Sequence, residues 1–307
     1  MMDHEPAARR TRARSGRLAS WLVRASLGLG LTGLAALPNE ALAAEPDAPD
    51  SLINRRDRRV ALRLHAELGF LSVLDNRLKL GTEGTYVDLR RDMGLDTLFL
   101  FGRLSGDLDI GRRRRHSAVL LWQPLDLRSQ AVASRDIRVE DAVIPADTPV
   151  DFRYGFGFWR GSWLFDFFED DREVAIGLGL QIRNANLEYA TQDGTILRSA
   201  RNVGPVPLLK FRGRGYVYRG LWLGGEIDGF YAPIRYFNGG STDVEGAIVD
   251  ANARVGLSWA HGIDTFLNFR YVAGGAQGTS SDPMPYSDGF NKNWLQLFAV
   301  SLGVSLR

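Results

Sequence analysis

The stretch "VALRLHAELGF", Val60 to Phe70, alternates without a break. Val60, Leu62, Leu64, Ala66, Leu68 and Phe70 share one parity, and Arg63, His65 and Glu67 share the other. A period of two is the signature of a β-strand, whose successive side chains point to opposite faces. It does not say which face is inside. A sheet in water packs its apolar face on a core, whereas a barrel in a bilayer turns that face to lipid and its charges to the lumen.

Nine further segments alternate in the same way: Leu98 to Ile110, Ser117 to Leu127, Arg153 to Phe167, Val174 to Arg183, Leu209 to Val217, Leu221 to Tyr231, Val249 to Trp259, Leu267 to Tyr271, and the C-terminal "NWLQLFAVSLGVSLR". "SAVLLWQPLDL", Ser117 to Leu127, is apolar on both faces and contains Pro124, so its register is the least defined. The connections alternate in length. Long ones run from Ser72 to Asp96, Ser129 to Pro149, Thr191 to Asn202, Pro233 to Thr242 and Gly274 to Asn291; between them lie the tight "GRRRRH", "EDDR", "YRG" and "AHGID". Compact soluble domains seldom carry several loops longer than about 12 residues. An even number of strands puts all the long loops at one end, with both termini at the other.

The N-terminus reads as a secretory leader. "RRTRARSGR" is its basic region, Ala25 to Leu37 is an apolar run too short to span a bilayer, and Ala41-Leu42-Ala43 is a cleavage site. The formal charge of +2 is carried by this leader, with Arg9, Arg10, Arg12, Arg14, Arg17 and Arg24 against Asp3, Glu5 and Glu40. Beyond it acid and base nearly balance, and "GRRRRH" falls in a turn, so a nucleic-acid partner is not expected. The absence of cysteine excludes disulfides and thiolate metal sites. The expected division is a signal peptide at 1–43, a periplasmic linker at 44–57 and a barrel domain at 58–307.

On the leader, the ten alternating segments, the loop asymmetry and the C-terminal "FAVSLGVSL", residues 59–307 resemble the bacterial outer-membrane β-barrel proteins. The resemblance implies an all-β, up-and-down antiparallel transmembrane β-barrel of about ten strands, with short periplasmic turns and long extracellular loops. It also implies a place in the bacterial outer membrane, lipid and lipopolysaccharide as surroundings, and the barrel assembly machinery as a partner. One departure is that the chain ends Leu306-Arg307, where that class usually ends on an aromatic residue.

In this reading the apolar faces look outward and the polar faces line the lumen. The inward set is Arg63, His65, Glu67, Arg103, Asp107, Arg160, Asp166, Arg183, Lys210, Arg212, Arg214, Glu226, Asp228, Asp250, Arg254 and Arg270. A ten-stranded lumen is far narrower than a porin's, and charges short of water must pair. The lumen is therefore expected to be plugged or very narrow, and slightly anion-favouring if it conducts. Across the "YRG" hairpin, Lys210, Arg212 and Arg214 are expected to face Glu226 and Asp228 as a salt-bridge ladder, with Arg212 against Glu226. Leu178 is expected to face lipid, and Gln181 to tolerate an arginine.

Signals of chemistry are sparse. Beyond the leader the histidines are His65, His116 and His261, the last two in turns. His65 and Glu67 share a face and could act as a base and its orienter; the plainer reading is a hydrogen-bond network in the lumen. Omptin proteases, also ten-stranded, use acidic pairs with a histidine near the extracellular rim, and no long loop here holds a histidine. Outer-membrane lipid hydrolases use His and Ser on lipid-facing positions, and no His-x-Ser occurs. "GFGFWRG" is read as a strand and "GTSSDPMPYSDG" as a turn-rich loop, so no phosphate loop, metal or cofactor is expected. The function expected is a structural protein or small-solute channel with a salt-bridged lumen. The alternatives are surface ligand binding or adhesion, through loops whose rim holds Trp294, Tyr236, Phe237 and Tyr286, and an outer-membrane hydrolase.

Overall fold

The computed structural model describes residues 59–111, 113, 115–168, 172–233, 245–279 and 285–307. The leader, the linker, Tyr236 and Phe237 lie outside the described residues, as do the side chain of Arg183 and part of "GTSSDPMPYSDG".

Among the described residues the chain forms ten long strands: β1 (Val60–Leu80), β2 (Leu98–Ile110), β3 (His116–Val132), β4 (Pro149–Asp166), β5 (Glu173–Thr191), β6 (Leu197–Tyr218), β7 (Leu221–Pro233), β8 (Glu245–Ser258), β9 (Ile263–Thr279) and β10 (Phe290–Leu306). Each pairs antiparallel with its neighbours in the chain. β10 returns to pair with β1 from Leu64↔Leu306 to Leu80↔Asn291, which closes an up-and-down barrel. Closure gives every strand a neighbour on both sides, as hydrocarbon surroundings require, while towards the loop end the β2–β3 ladder stops at Leu104↔Trp122 and the β6–β7 ladder at Leu209↔Gly229. The all-β, ten-stranded reading of the sequence is borne out.

The outer surface shows which solvent the lower half meets. Leu100 is 73% exposed, Leu302 70%, Leu178 67% and Leu68 62%. Trp122, Trp159 and Trp163 also lie outside, the first two with ring centroids 6.1 Å apart. Such a belt of exposed aliphatic and aromatic side chains is stable against lipid and costly against water. Inside, Arg103, Asp107, Arg160, Lys210, Asp228 and Arg270 are almost completely buried.

The strands run 13 to 22 residues, well beyond the 9–11 that cross a bilayer. The surplus lies at the loop end and corrects the expected long connections. β1 runs on to Leu80, and β9 and β10 take up Gly274–Thr279 and Phe290–Asn291 of the stretch from Gly274 to Asn291. Between β5 and β6 only Gln192–Ile196 remain outside the strands, not Thr191 to Asn202. The reason is that polarity changes sides part-way up. Low on β4, Trp159, Trp163 and Phe165 point out and Arg160 points in; high on it, Val150, Phe152 and Tyr154 point in and Asp151 and Arg153 point out. β5 repeats this with Leu187 and Tyr189 inside, and β10 with Leu295 and Leu297. The upper barrel is thus built as a soluble one, with an apolar interior and a polar exterior.

Two loops complete that interior. The first, 81–97, pairs Val87–Asp88 with β1 and buries Leu89, Met93 and Leu95. The second, 133–148, folds as a hairpin of Ile137–Val139 with Ala142–Ile144 and buries Ile137, Val139 and Ile144. Their side chains join Phe101, Leu127, Phe152 and Tyr189 in one apolar cluster. Backbone bonds tie the loops together, Thr85 N–H to the Arg138 carbonyl at 2.8 Å and Glu140 N–H to the Leu80 carbonyl at 3.1 Å.

Local irregularities have local causes. A bulge between Val73 and Asp75 leaves Leu74 without a partner on β10. Pro124, which has no N–H to give, sits past the end of the β2–β3 ladder, whose last pair is Leu104↔Trp122. Gly256 and Gly303 lie beneath the rings of Trp222 and Phe266, where an added Cβ would come within 2.2 Å of ring carbon.

Candidate functional site

A barrel closed in this way keeps two places where a function can reside, its interior and its long-loop end. The interior of the lipid-embedded half is an ionic layer. Alternation on eight of the ten strands supplies it, because the inward position of each bears a charge where the outward one bears Leu, Val, Trp or Phe.

Centred on the lumen, Glu67 takes Arg103 and Arg254, each at 3.5 Å, and accepts from Asn268 at 2.7 Å and Ser301 at 2.9 Å. Glu226 takes Lys210 at 2.7 Å, Arg254 at 3.0 Å and Arg103 at 3.7 Å. Asp228 is shared by Lys210 at 3.2 Å and Arg160 at 2.5 Å, and Asp250 by Arg160 at 2.9 Å and Arg270 at 2.6 Å. Towards the short-turn end Arg63 binds Asp109 at 3.1 Å and Glu173 at 3.4 Å, and Arg214 binds Asp264 at 2.9 Å with its guanidinium 4.1 Å above the Trp222 ring. Arg212 reaches Asp107 at 2.5 Å and also contacts Glu173.

That last pairing departs from the expected ladder. The backbone register does set Glu226 opposite Arg212 and Asp228 opposite Lys210. The long Arg212 side chain nevertheless crosses to β2 and β5, and Glu226 is left to Lys210, Arg254 and Arg103. In a closed barrel every inward side chain has neighbours on strands distant in sequence, so hairpin register alone does not decide partners. Asp166 does not join the layer, because its carboxylate accepts the backbone N–H groups of Phe168 and Val174 and so closes a turn. Three carboxylates absent from the sequence-based set enter instead. Asp109 shares the parity of Asp107 and was legible; Glu173 lies one residue before the recognised β5 pattern, and Asp264 lies inside "AHGID". They leave the layer closer to neutral than the expected anion-favouring excess.

His65 does not meet Glu67. Its Nδ1 lies 2.7 Å from Ser305 Oγ, and its Nε2 lies 3.8 Å from Asp107 Oδ1. The order Ser–His–Asp has the composition of a nucleophile, base and orienter. The geometry is less favourable, since 3.8 Å is beyond a hydrogen bond, Asp107 is engaged by Arg212, and Ser305 is only 3% exposed. His116 packs on the outer surface against Trp163 and Phe165, and His261 occupies a short 3₁₀ turn. "GFGFWRG" is part of β4.

Beside His65 is a cavity of about 40 Å³, enough for roughly three waters. Above it Phe101 and the apolar cluster fill the barrel, while at the short-turn mouth Arg307 closes over Tyr216 at 3.0 Å and Asp264 at 3.3 Å. At the long-loop end Tyr286 stacks under Arg198 at 4.7 Å and Asp288 accepts the N–H of Thr82 at 2.7 Å. Glu140, in the cap hairpin, has an oxygen without a hydrogen-bond partner, and burial raises its pKa above the ordinary carboxylate value.

No protein-family model matches the chain, and no curated protein does. Among solved structures the chain is similar to the outer membrane protease OmpT of Escherichia coli, at 11% identity and a TM-score of 0.46, covering 80% of this chain and 96% of that one. It is also similar to the toluene transporter TodX of Pseudomonas putida, at 8% identity and a TM-score of 0.32, covering 80% and 90%.

Proposed function

We propose that the protein is a non-conducting structural barrel of the outer membrane that carries a rigid extracellular cap. The observation that supports this over a small-solute channel is the apolar filling of the upper barrel. Leu78, Leu89, Met93, Leu127, Ile137 and Ile144 are each 0% exposed, and a solute pathway there would need a polar or water-lined wall. Below it, paired charges occupy most of the remaining cross-section. In this reading residues 1–43 are removed on export and 44–57 form a periplasmic linker. Lipopolysaccharide surrounds the outward belt, and the assembly machinery engages β10.

Planar-bilayer recording tests the proposal. The refolded protein should give no stepwise conductance. Met93→Asp, which places a charge in the apolar filling, should introduce brief openings. Steady single-channel steps from the unmodified protein would overturn the structural reading in favour of a channel.

A further inference from the structure

The cavity beside His65 is more cationic than the layer as a whole. Of its lining side chains, seven are Lys or Arg and three are Asp or Glu. Glu67, Asp109, Asp228, Asp250 and Asp264 hold these cations from other sides and do not line it.

Six N–H groups on lining residues have no acceptor: Nε of Arg63, Arg103, Arg214 and Arg254, Nη2 of Arg212, and the indole Nε1 of Trp222. Arg103 and Trp222 are each 3% exposed and Arg212 8%, so bulk water does not satisfy them. A buried donor left unmatched carries its full desolvation cost. Water in the cavity would answer these donors but would bring donors of its own. An oxyanion only accepts, and guanidinium groups suit its geometry.

We propose that this cavity is a binding site for a small oxyanion of nitrate, formate or phosphate size. Room for roughly three waters admits three to five heavy atoms and excludes a sugar or nucleotide. Entry is from the periplasmic mouth, where the side chains of Arg63, Arg214 and Arg307 keep 17%, 14% and 26% of their exposure. The apolar filling closes the other side. Trp222 is fixed for its part by packing on Phe266 and over Gly256. The site is independent of whether the barrel conducts.

The test is urea unfolding of the refolded barrel in a lipid-free maltoside detergent, titrating sodium nitrate or inorganic phosphate against the bulky anion HEPES at fixed ionic strength. The midpoint should rise and saturate with the small anions and stay flat with HEPES. Trp222→Phe keeps the ring and removes only the indole N–H, so it should fold and weaken the apparent affinity several-fold. Arg103→Gln should weaken it at least tenfold, and Arg128→Gln, on the outer surface, should leave it unchanged. Midpoints independent of the anion would mean that the cavity holds only water. A saturable rise that Trp222→Phe leaves untouched would place the anion elsewhere. Either result overturns the proposal.

Discussion

At the scale of the residue, Arg212 shows how the interior distributes its charges. Its guanidinium joins β6 to β2 through Asp107 and to β5 through Glu173, so truncation leaves two buried carboxylates under-compensated. Arg212→Ala should destabilise the barrel by about 3–5 kcal/mol. A double-mutant cycle with Asp107→Ala should report a coupling on the order of 1–3 kcal/mol, and the cycle with Glu226→Ala a clearly smaller one. Urea midpoints in detergent would measure both, and equal couplings would contradict the crossing of Arg212. Glu140 gives a pH dependence of opposite origin. Its pKa is raised in the folded cap, so the folded state holds its proton more tightly than the unfolded state does. Cap stability from this group is greatest below its unfolded value and is lost as pH rises through the folded one. Glu140→Gln should abolish that loss, seen as amide exchange in 133–148 that no longer quickens beyond the intrinsic rate as pH rises above the ordinary carboxylate range.

At the scale of the element, each strand carries two codes in one register. Leu178, on β5, is 67% exposed, and an arginine there should cost roughly 2–4 kcal/mol at mid-bilayer. Gln181 was expected to tolerate an arginine because it points inward. It is in fact 2% exposed and accepts from Arg160 at 2.7 Å, so Gln181→Arg sets two guanidinium groups together and should be at least as damaging as Leu178→Arg. Unfolding of the two variants in parallel would decide this. The alternation itself was legible because polarity and parity agree over each lipid-facing segment. The upward continuations were read as loops because the apolar residues change parity there, as between Trp159 and Tyr154, without any break in the strand. "SAVLLWQPLDL" is apolar on both faces for a related reason: Leu120 and Trp122 face outward while Leu125 and Leu127 already fill the upper interior. The parity of the lumen charges was legible too, but their partners depend on closure and on side-chain reach across the barrel.

At the scale of the molecule, the barrel is inverted below and conventional above, and its two halves answer to different solvents. Purified protein should need detergent, show β-rich circular dichroism and migrate faster on gels unheated than boiled, because the closed ladder from β1 to β10 resists unfolding without heat. Solubility in plain buffer would contradict the lipid-facing belt. Swapping a long-chain detergent for a short-chain one should affect heat modifiability more than the exchange protection of loop 81–97, whose buried partners are side chains and not lipid.

The bulge at Leu74 acts on β1 as a frame shift acts on a reading frame. Up to Val73 the odd-numbered residues fill the interior; after Asp75 the even-numbered Asn76, Leu78 and Leu80 do. Deleting Leu74 would remove the bulge and leave the faces above it unchanged, because Val73 inside would be followed directly by Asp75 outside and Asn76, Leu78 and Leu80 would stay in the cap. The deletion should therefore give a barrel that still assembles, still shifts on heating and keeps amide-exchange protection in loop 81–97; loss of that protection would contradict this register. One unpaired residue is punctuation between two spellings, and each solvent is spelled in the residues on its own side of it.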